Sequence, residues 1–116
     1  MARVRDNLVE REVSGVLTRR RRPDGLLHSE DTPAVVVEPG AHWHLSSEFS
    51  VEGPAELWYR DGLLDRAEQP AIELPSQGVK AYYHKGKLSR VDSPRATNEG
   101  VLRVWFSRAR EFSQPR

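Results

Sequence analysis

The 116-residue sequence contains no cysteine, which excludes disulfide bonds and thiolate metal sites. Its longest apolar run, "AVVV" at residues 34–37, is far too short for a membrane span of about 20 residues. The N-terminal "MARVRDNLVEREV" lacks the apolar segment of a signal peptide. The 18 Lys and Arg nearly balance the 17 Asp and Glu, so bulk charge does not indicate a nucleic-acid partner. These absences predict a soluble protein of the reducing cytoplasm with no membrane attachment.

Apolar residues are also scarce. They make up 37% of the chain, against 30% charged residues. A chain of this length fits one domain, which buries roughly two-thirds of the surface that its unfolded form exposes. We therefore expect a thin core, formed by a single sheet with one covered face.

What the sequence does contain is a repeat. "WYRDGLLDR" at 58–66 returns as "YYHKGKLSR" at 82–90. Recurrence at fixed offsets is the signature of repeat architectures. A third copy at 24–34 keeps glycine, leucine and proline but has Ser29 in place of the arginine, and weaker copies lie at 42–56 and 104–112. A match from Gly15 to Pro23 would end only two residues before Gly25 and is treated as a coincidence. The shared positions are Gly25, Leu27 and Pro33; Gly62, Leu64, Arg66 and Pro70; and Gly86, Leu88, Arg90 and Pro94.

Each copy predicts a β-hairpin. Asp61-Gly62 is typical of a two-residue turn of type I′, which needs positive φ at both positions. Such a turn sets Tyr59 against Leu64, and Lys85-Gly86 likewise sets Tyr83 against Leu88. Aromatic-to-leucine pairs across strands contribute a few tenths to about 1 kcal/mol each, which explains the repeated leucine. In the copy at 24–34 the same turn would set Arg22 against Leu27.

Turn residues every 8 to 12 positions, with short alternating strands between them, predict an all-β fold. We expect an antiparallel meander of stacked β-hairpin repeats that form a curved, mostly single sheet. Only the charged segment "RDNLVEREV" at 5–13 is compatible with a short N-terminal helix. The single domain, 1–116, divides into an N-terminal arm (1–12), degenerate repeats (13–56), hairpin repeats (57–112) and a tail (113–116).

The motif resembles a known repeat. "WYRDGLLDRAEQPA" and "YYHKGKLSRVDSPRA", with "DGLLHSEDTPA" as a partial copy, look like a repeat of bacterial, phage and giant-virus proteins that is loosely similar to MORN (membrane occupation and recognition nexus) repeats. The resemblance implies an elongated sheet that serves as a scaffold or binding surface, with no catalytic residues. The chain departs from the pattern at Asp65 and Ser89, where the repeat often has histidine, and at Arg95, which replaces an alanine.

Strand alternation predicts two different faces. One face carries an aromatic residue in each unit, Trp58, Tyr82 and Trp105, beside charged or polar neighbours. This row either is exposed and recognises a protein, or is covered by the N-terminal half or by arginine and lysine stems. The other face is apolar and is expected to form the core. Its residues are Ala55, Leu57, Tyr59, Leu64, Val79, Ala81, Tyr83, Leu88, Leu102, Val104 and Phe106.

Two polar clusters offer further candidates. Arg19, Arg20, Arg21 and Arg22 are consecutive, and guanidinium groups bind phosphate in a bidentate manner. The alternative is a solvated edge strand whose charge prevents aggregation, with Glu10, Glu12 and Glu30 nearby. The two histidines of "HWH" at 42–44 lie on the same side of a strand and would need His28 or His84 to complete a metal site. Neither a metal, a cofactor nor an enzyme is expected from so incomplete a set.

The sequence favours a non-enzymatic β-repeat protein that binds another protein, as an adaptor or as an inhibitor of the kind that phages and bacteria use. The alternative is a nucleic-acid-binding protein that uses the four consecutive arginines and the sheet aromatics. A homodimer is also open, since a second copy could cover the aromatic face. The expected protein-binding residues are Trp58, Arg60, Tyr82, His84, Arg103 and Trp105.

Overall fold

The structure, a computed structural model, describes residues 8–45 and 50–93. Every regular element in these residues is a β-strand, so this part of the chain has no helix that could cross a membrane. The strands are β1 Leu8–Val13, β2 Val16–Arg21, β3 Val35–Val37, β4 His42–His44, β5 Ser50–Glu52, β6 Ala55–Leu57, β7 Tyr59–Arg60, β8 Leu63–Leu64, β9 Ile72–Leu74, β10 Val79–His84 and β11 Lys87–Asp92.

Seven of the strands form one antiparallel sheet in the order β1-β2-β3-β6-β9-β10-β11. The strand numbers only rise along this order, so the sheet is a meander. Two small hairpins, β4–β5 and β7–β8, leave it and return between neighbouring strands. The predicted all-β antiparallel meander is therefore confirmed.

The N-terminal segment is a strand and not the helix that its charges allowed. Residues Leu8–Val13 form β1 and pair with β2 along their whole length, while residues 5–7 lie outside the described part. Ser14 and Gly15 form the turn with φ of 53° and 83°. The sequence match that begins at Gly15, expected to be a coincidence, therefore starts at the turn of a two-residue hairpin. Residues 8–12, expected to belong to an N-terminal arm, are part of the sheet. Apolar and charged residues alternate here with the period of a strand.

Both predicted hairpins form with the expected register. Asp61 and Gly62 have φ of 53° and 83°, and Tyr59 faces Leu64. The second hairpin, with its turn at residues 85 and 86, pairs Tyr83 with Leu88. Because all four turn residues have positive φ, these are the expected primed turns. The first hairpin stands apart as β7–β8, whereas the second lies within the large sheet.

Equivalent hydrogen bonds join the successive units. The amide of Gly62 donates to the Leu27 carbonyl, and the amide of Gly86 donates to the Leu64 carbonyl, each at 2.8 Å. Leu27 bridges to Arg20 and not to Arg22, because residues 22–25 lie between Arg21 and Leu26 in a longer loop. The glycines are 37 residues apart in the first step and 24 in the second, since β4–β5 is inserted between the first two units.

The core lies on one face of the sheet, beneath the small hairpins. The predicted apolar face is buried in the described units, with Leu88 half-buried against it. Residues 102, 104 and 106 of that face lie outside the described part. The sheet contributes Val35, Val37, Ala55, Leu57, Ile72, Leu74, Val79, Ala81 and Tyr83, and the covering segments contribute Leu27, Leu45, Val51, Tyr59 and Leu64.

Candidate protein-binding groove

The expected row of exposed aromatic residues is not present at its first position. Trp58 is only 7% exposed and belongs to the buried core cluster, and the guanidinium carbon of Arg66 lies 3.5 Å from the centre of its ring. Tyr82 is half-buried, with Arg90 at 4.4 Å from its ring centre. Of the two alternatives for Trp58, exposed or covered, the exposed one is therefore wrong, because an arginine side chain covers the ring. Trp105 and Arg103 lie outside the described residues.

Arg66 also explains why arginine and proline recur together. Its Nη1 donates to the Pro70 carbonyl at 3.1 Å and to Oε2 of Glu73 at 3.3 Å. The guanidinium group thus satisfies a carbonyl next to the strand β9 while it covers the ring of Trp58. In the second and third repeats the repeated arginine therefore stacks on the first aromatic residue.

The first repeat reaches the same carbonyl from a different position. Here Arg19 Nη1 donates to the Pro33 carbonyl. The Arg19 amide bonds to Ala34 as the Trp58 amide bonds to Ala71, so Arg19 stands where the second repeat has tryptophan. This repeat needs no arginine at position 29, where a serine stands.

Two other expected contact residues are exposed. Arg60 lies beside the β7–β8 turn, and His84 lies beside the β10–β11 turn. The His84 Nδ1 is 3.7 Å from Oδ1 of Asp65, so this imidazole is close to one carboxylate. The two side chains remain available at the hairpin ends, but without an exposed Trp58 they form no continuous aromatic surface.

The four consecutive arginines are mostly engaged within the protein. Arg19 pairs with Glu10 at 2.8 Å, and Arg20 donates to the Gly25 carbonyl at 3.0 Å. Arg21 pairs with Asp61 at 2.6 Å. In the described residues only Arg22 of these four has no such partner. Three of the four guanidinium groups would have to exchange protein partners before they bound phosphate.

His28 is buried between the first two repeats. Its Nδ1 accepts a hydrogen bond from the Asp61 amide at 3.0 Å, and Arg21 Nη2 lies 3.3 Å from both ring nitrogens. A histidine held in this way connects two repeats and is not free to bind a metal. His42 and His44 are exposed on β4. The described residues contain no group of three or more His, Cys, Asp or Glu that could hold a metal ion.

A groove opens between the β1–β2 hairpin and β4. Its volume is about 490 Å³, within the range of about 300–1,000 Å³ typical of ligand sites. Trp43 forms part of its wall, and the indole Nε1 donates to the Tyr59 hydroxyl at 3.3 Å. The ring is therefore fixed on the core. The lining residues are Arg11, Val13, Ser14, Val16, Thr18, Gly40, Ala41, His42 and Trp43.

The groove side of β1 carries exposed apolar surface. Val13 is 57% exposed and Val9 is 39% exposed, and these are the exposed large hydrophobic residues of the described part. They lie on the same face as Val16, since the register sets Val9 opposite Arg20 and Val13 opposite Val16. Arg11 lies between the two valines on this face, and of the two Val13 lines the groove.

The groove is cationic as well as apolar. Within residues 8–45 and 50–93, the Arg11 guanidinium has no ion-pair or hydrogen-bond partner. No carboxylate is among the lining residues, and His42 is the other basic group. Glu10 and Glu12 alternate with Arg11 along β1 and so lie on the opposite face of the sheet. The groove thus suits an acidic group flanked by apolar ones.

The Tyr59 hydroxyl, which lies beneath Trp43, has a raised pKa. Burial raises the pKa of Tyr59 to about 12, although the hydrogen bond from Trp43 and the charge of Arg20 act in the opposite direction. The phenol therefore stays neutral throughout the physiological range. It serves as the acceptor that orients the groove wall.

Comparison with known proteins gave no match: no protein-family model fits the chain, and no curated protein or solved structure is detectably similar to it.

Sequence reasoning did not find the groove, because β1 was read as an arm or a helix. The signal was present in "VEREV" at residues 9–13, where apolar and charged residues alternate, followed by Ser14-Gly15 as a turn. The contribution of Trp43 could not be inferred, since β4 is distant from β1 in sequence.

Proposed function

We propose that this chain is a non-enzymatic β-repeat module that binds another protein through the groove between the β1–β2 hairpin and β4. The observation that carries the proposal is the pair of exposed valines, Val9 and Val13, on either side of Arg11, whose guanidinium has no partner among the described residues. An apolar surface with one charged group that fixes orientation is typical of binding sites. An adaptor or an inhibitor needs such a surface, and the resemblance to MORN-like repeats favours the same class.

The groove is preferred over the surfaces that the sequence suggested. Trp58 is covered by Arg66, and the consecutive arginines mostly have partners within the protein. The groove contains hydroxyl groups at Ser14 and Thr18, but Thr18 donates to a backbone carbonyl and neither hydroxyl is hydrogen-bonded to His42. The proposal therefore assigns the groove a binding role without catalysis.

The proposal is tested by selection from a random peptide library displayed on phage, with the full-length protein immobilised. We expect enriched peptides to combine apolar residues with Asp or Glu. Val13→Lys and Arg11→Glu should each lose most of this binding, and both changes are at exposed positions that leave the core intact. Lys87→Glu is the matched control, because Lys87 is exposed on β11, at the other end of the sheet from β1, and lies opposite His84 and not opposite a carboxylate.

Two results would contradict groove binding. One is that the wild-type protein enriches no peptide over a blank support. The other is that enriched peptides bind Val13→Lys and Arg11→Glu as well as they bind the wild type. Circular dichroism of each variant shows that a loss of binding does not come from unfolding.

A further inference from the structure

We propose that the partner contributes an extended segment that pairs as an additional strand with the outer edge of β1, which has no partner strand within residues 8–45 and 50–93, with an acidic residue beside Arg11 and basic residues beside Glu10 and Glu12. This inference rests on the proposed function and specifies how the groove is occupied. It names the chemistry of the partner: a strand in which apolar and acidic residues on one face alternate with basic residues on the other.

The first step is the direction of the backbone groups of β1. In a two-residue hairpin the residues that flank the turn, here Val13 and Val16, bond to each other. The amides and carbonyls of Val13, Arg11 and Val9 therefore point toward β2. Those of Glu12, Glu10 and Leu8 point away from the sheet. Because β1 is the first strand in the order of the described sheet, these groups form an edge that another strand can join.

The second step is the charge pattern along this edge. Residues 9–13 read Val-Glu-Arg-Glu-Val, which is the same in both directions. The valines and Arg11 lie on the groove face, and Glu10 and Glu12 lie on the other face. Opposite charges directly across a ladder stabilise the pairing. Glu10 already pairs with Arg19 on β2, so a lysine on the added strand would be its second basic neighbour. The complementary strand is therefore Val-Lys-Glu-Lys-Val, which places an opposite charge beside Glu10, Arg11 and Glu12 in either orientation.

The third step excludes a second copy of the same edge as the occupant. Two β1 strands related by a two-fold axis normal to the sheet would set Glu10 against Glu10 or Glu12, or Glu12 against Glu12. Like charges directly opposite each other are destabilising, and such charges commonly protect natural sheet edges from self-association. The edge is thus unfavourable for its own copy and favourable for a strand of opposite charge pattern.

The experiment uses the ¹⁵N-labelled full chain and the capped peptide Thr-Val-Lys-Glu-Lys-Val-Thr as the probe. We expect shift changes and slower amide exchange at Glu10 and Glu12, together with shift changes at Val13 and the Trp43 indole. The charge-reversed peptide Thr-Val-Glu-Lys-Glu-Val-Thr should have an affinity lower by about tenfold or more, because each of the three charged cross-strand pairs becomes a like-charge pair.

N-methylation of the probe distinguishes strand pairing from side-chain docking. In an antiparallel ladder the two lysine amides donate to the carbonyls of Glu10 and Glu12, whereas in a parallel ladder the amides of the central glutamate and of the second valine do so. Methylation of one of these two sets should abolish binding, and methylation of the other should leave it unchanged. The result also gives the orientation of the strand.

A charge exchange supplies the matched protein variant. Arg11→Glu should lose the probe and gain the peptide Thr-Val-Lys-Lys-Lys-Val-Thr, while Lys87→Glu should behave as the wild type. Two results would contradict strand pairing but would be compatible with groove binding. One is equal affinity for all N-methyl peptides, and the other is shift changes in the groove without any at Glu10 and Glu12. Strand pairing is also contradicted if the probe changes no chemical shift of the protein while the peptides selected by display do bind. Failure of every peptide removes the proposed function itself.

Discussion

The guanidinium carbon of Arg66 lies 3.5 Å from the centre of the Trp58 ring, and Arg90 repeats the arrangement on Tyr82 at 4.4 Å. The arginine four places after the turn glycine therefore covers the aromatic residue four places before it. The second aromatic residue faces the repeated leucine across the hairpin. The arginine, the leucine and both aromatic residues of these two units thus have structural partners within their own unit, and the binding surface has to be sought elsewhere.

Replacement of Arg66 should destabilise the fold through Trp58. Arg66→Ala removes the stacked cation and the bonds to Pro70 and Glu73, and we expect a loss of about 1–2 kcal/mol in the free energy of unfolding. Arg66→Met keeps an apolar cover over the ring and should lose about half as much. Urea denaturation followed by tryptophan fluorescence measures both.

Arg60→Ala is the control for this pair, since Arg60 is exposed in the same hairpin and should change stability by less than about 0.5 kcal/mol. If Arg66→Ala and Arg60→Ala gave the same stability, the contact with Trp58 would have no energetic significance.

Tyr59 should make the protein sensitive to alkali. Its pKa is raised from 10.0 to about 12 by burial, so the folded state holds the phenolic proton more tightly than the unfolded chain does. This contribution to stability is fully present below pH 10 and is lost as the pH rises through about 12. The free energy of unfolding of Tyr59→Phe should therefore fall less steeply than that of the wild type between these values.

Trp43→Phe is the control for the ionisation. It removes the hydrogen bond to the Tyr59 hydroxyl but keeps the buried phenol, so the steep alkaline loss should persist. Urea denaturation at a series of alkaline pH values measures all three proteins. If the free energy of unfolding of Tyr59→Phe fell with pH as steeply as that of the wild type, the loss of stability in alkali would come from another group.

The sequence was sufficient for the hairpins and the core face, because Asp-Gly fixes both the turn type and the register of residues such as Tyr59. It was not sufficient for Trp58. Strand alternation places Trp58 on the outer face, but the long side chain of Arg66 covers its ring. A pattern of alternating residues shows on which face a residue lies and does not show whether another side chain covers it. The groove was hidden for another reason, since it forms only when Trp43, on a separate hairpin, packs beside β1.

Gly53 should tolerate no side chain. A Cβ at this position would overlap the carbonyl oxygen of Glu38, where Pro39 and Gly53 bridge in parallel. We expect Gly53→Ala to cost more than about 3 kcal/mol or to prevent folding, because backbone must move to make room. Thermal unfolding followed by circular dichroism measures the loss.

Gly25→Ala is the matched control for Gly53. Gly25 has φ of +74° but open space around it, so the cost should be limited to the backbone conformation, about 1–2 kcal/mol. A well-folded Gly53→Ala variant, as stable as Gly25→Ala, would show that the crossing of the chain at Glu38 is looser than described.

The consecutive arginines give the last prediction, which separates a structural role from nucleic-acid binding. Arg21 contacts Asp61 and His28 between two repeats, so Arg21→Ala should lower the free energy of unfolding by about 1 kcal/mol. Arg22→Ala removes an exposed charge that has no partner among the described residues and should leave stability unchanged. Fluorescence anisotropy with labelled single-stranded DNA tests the alternative role. Tight binding that weakens steeply with salt and is lost in Arg22→Ala would assign the cluster to phosphate, whereas weak binding shared by all variants would leave these arginines as the connection between repeats.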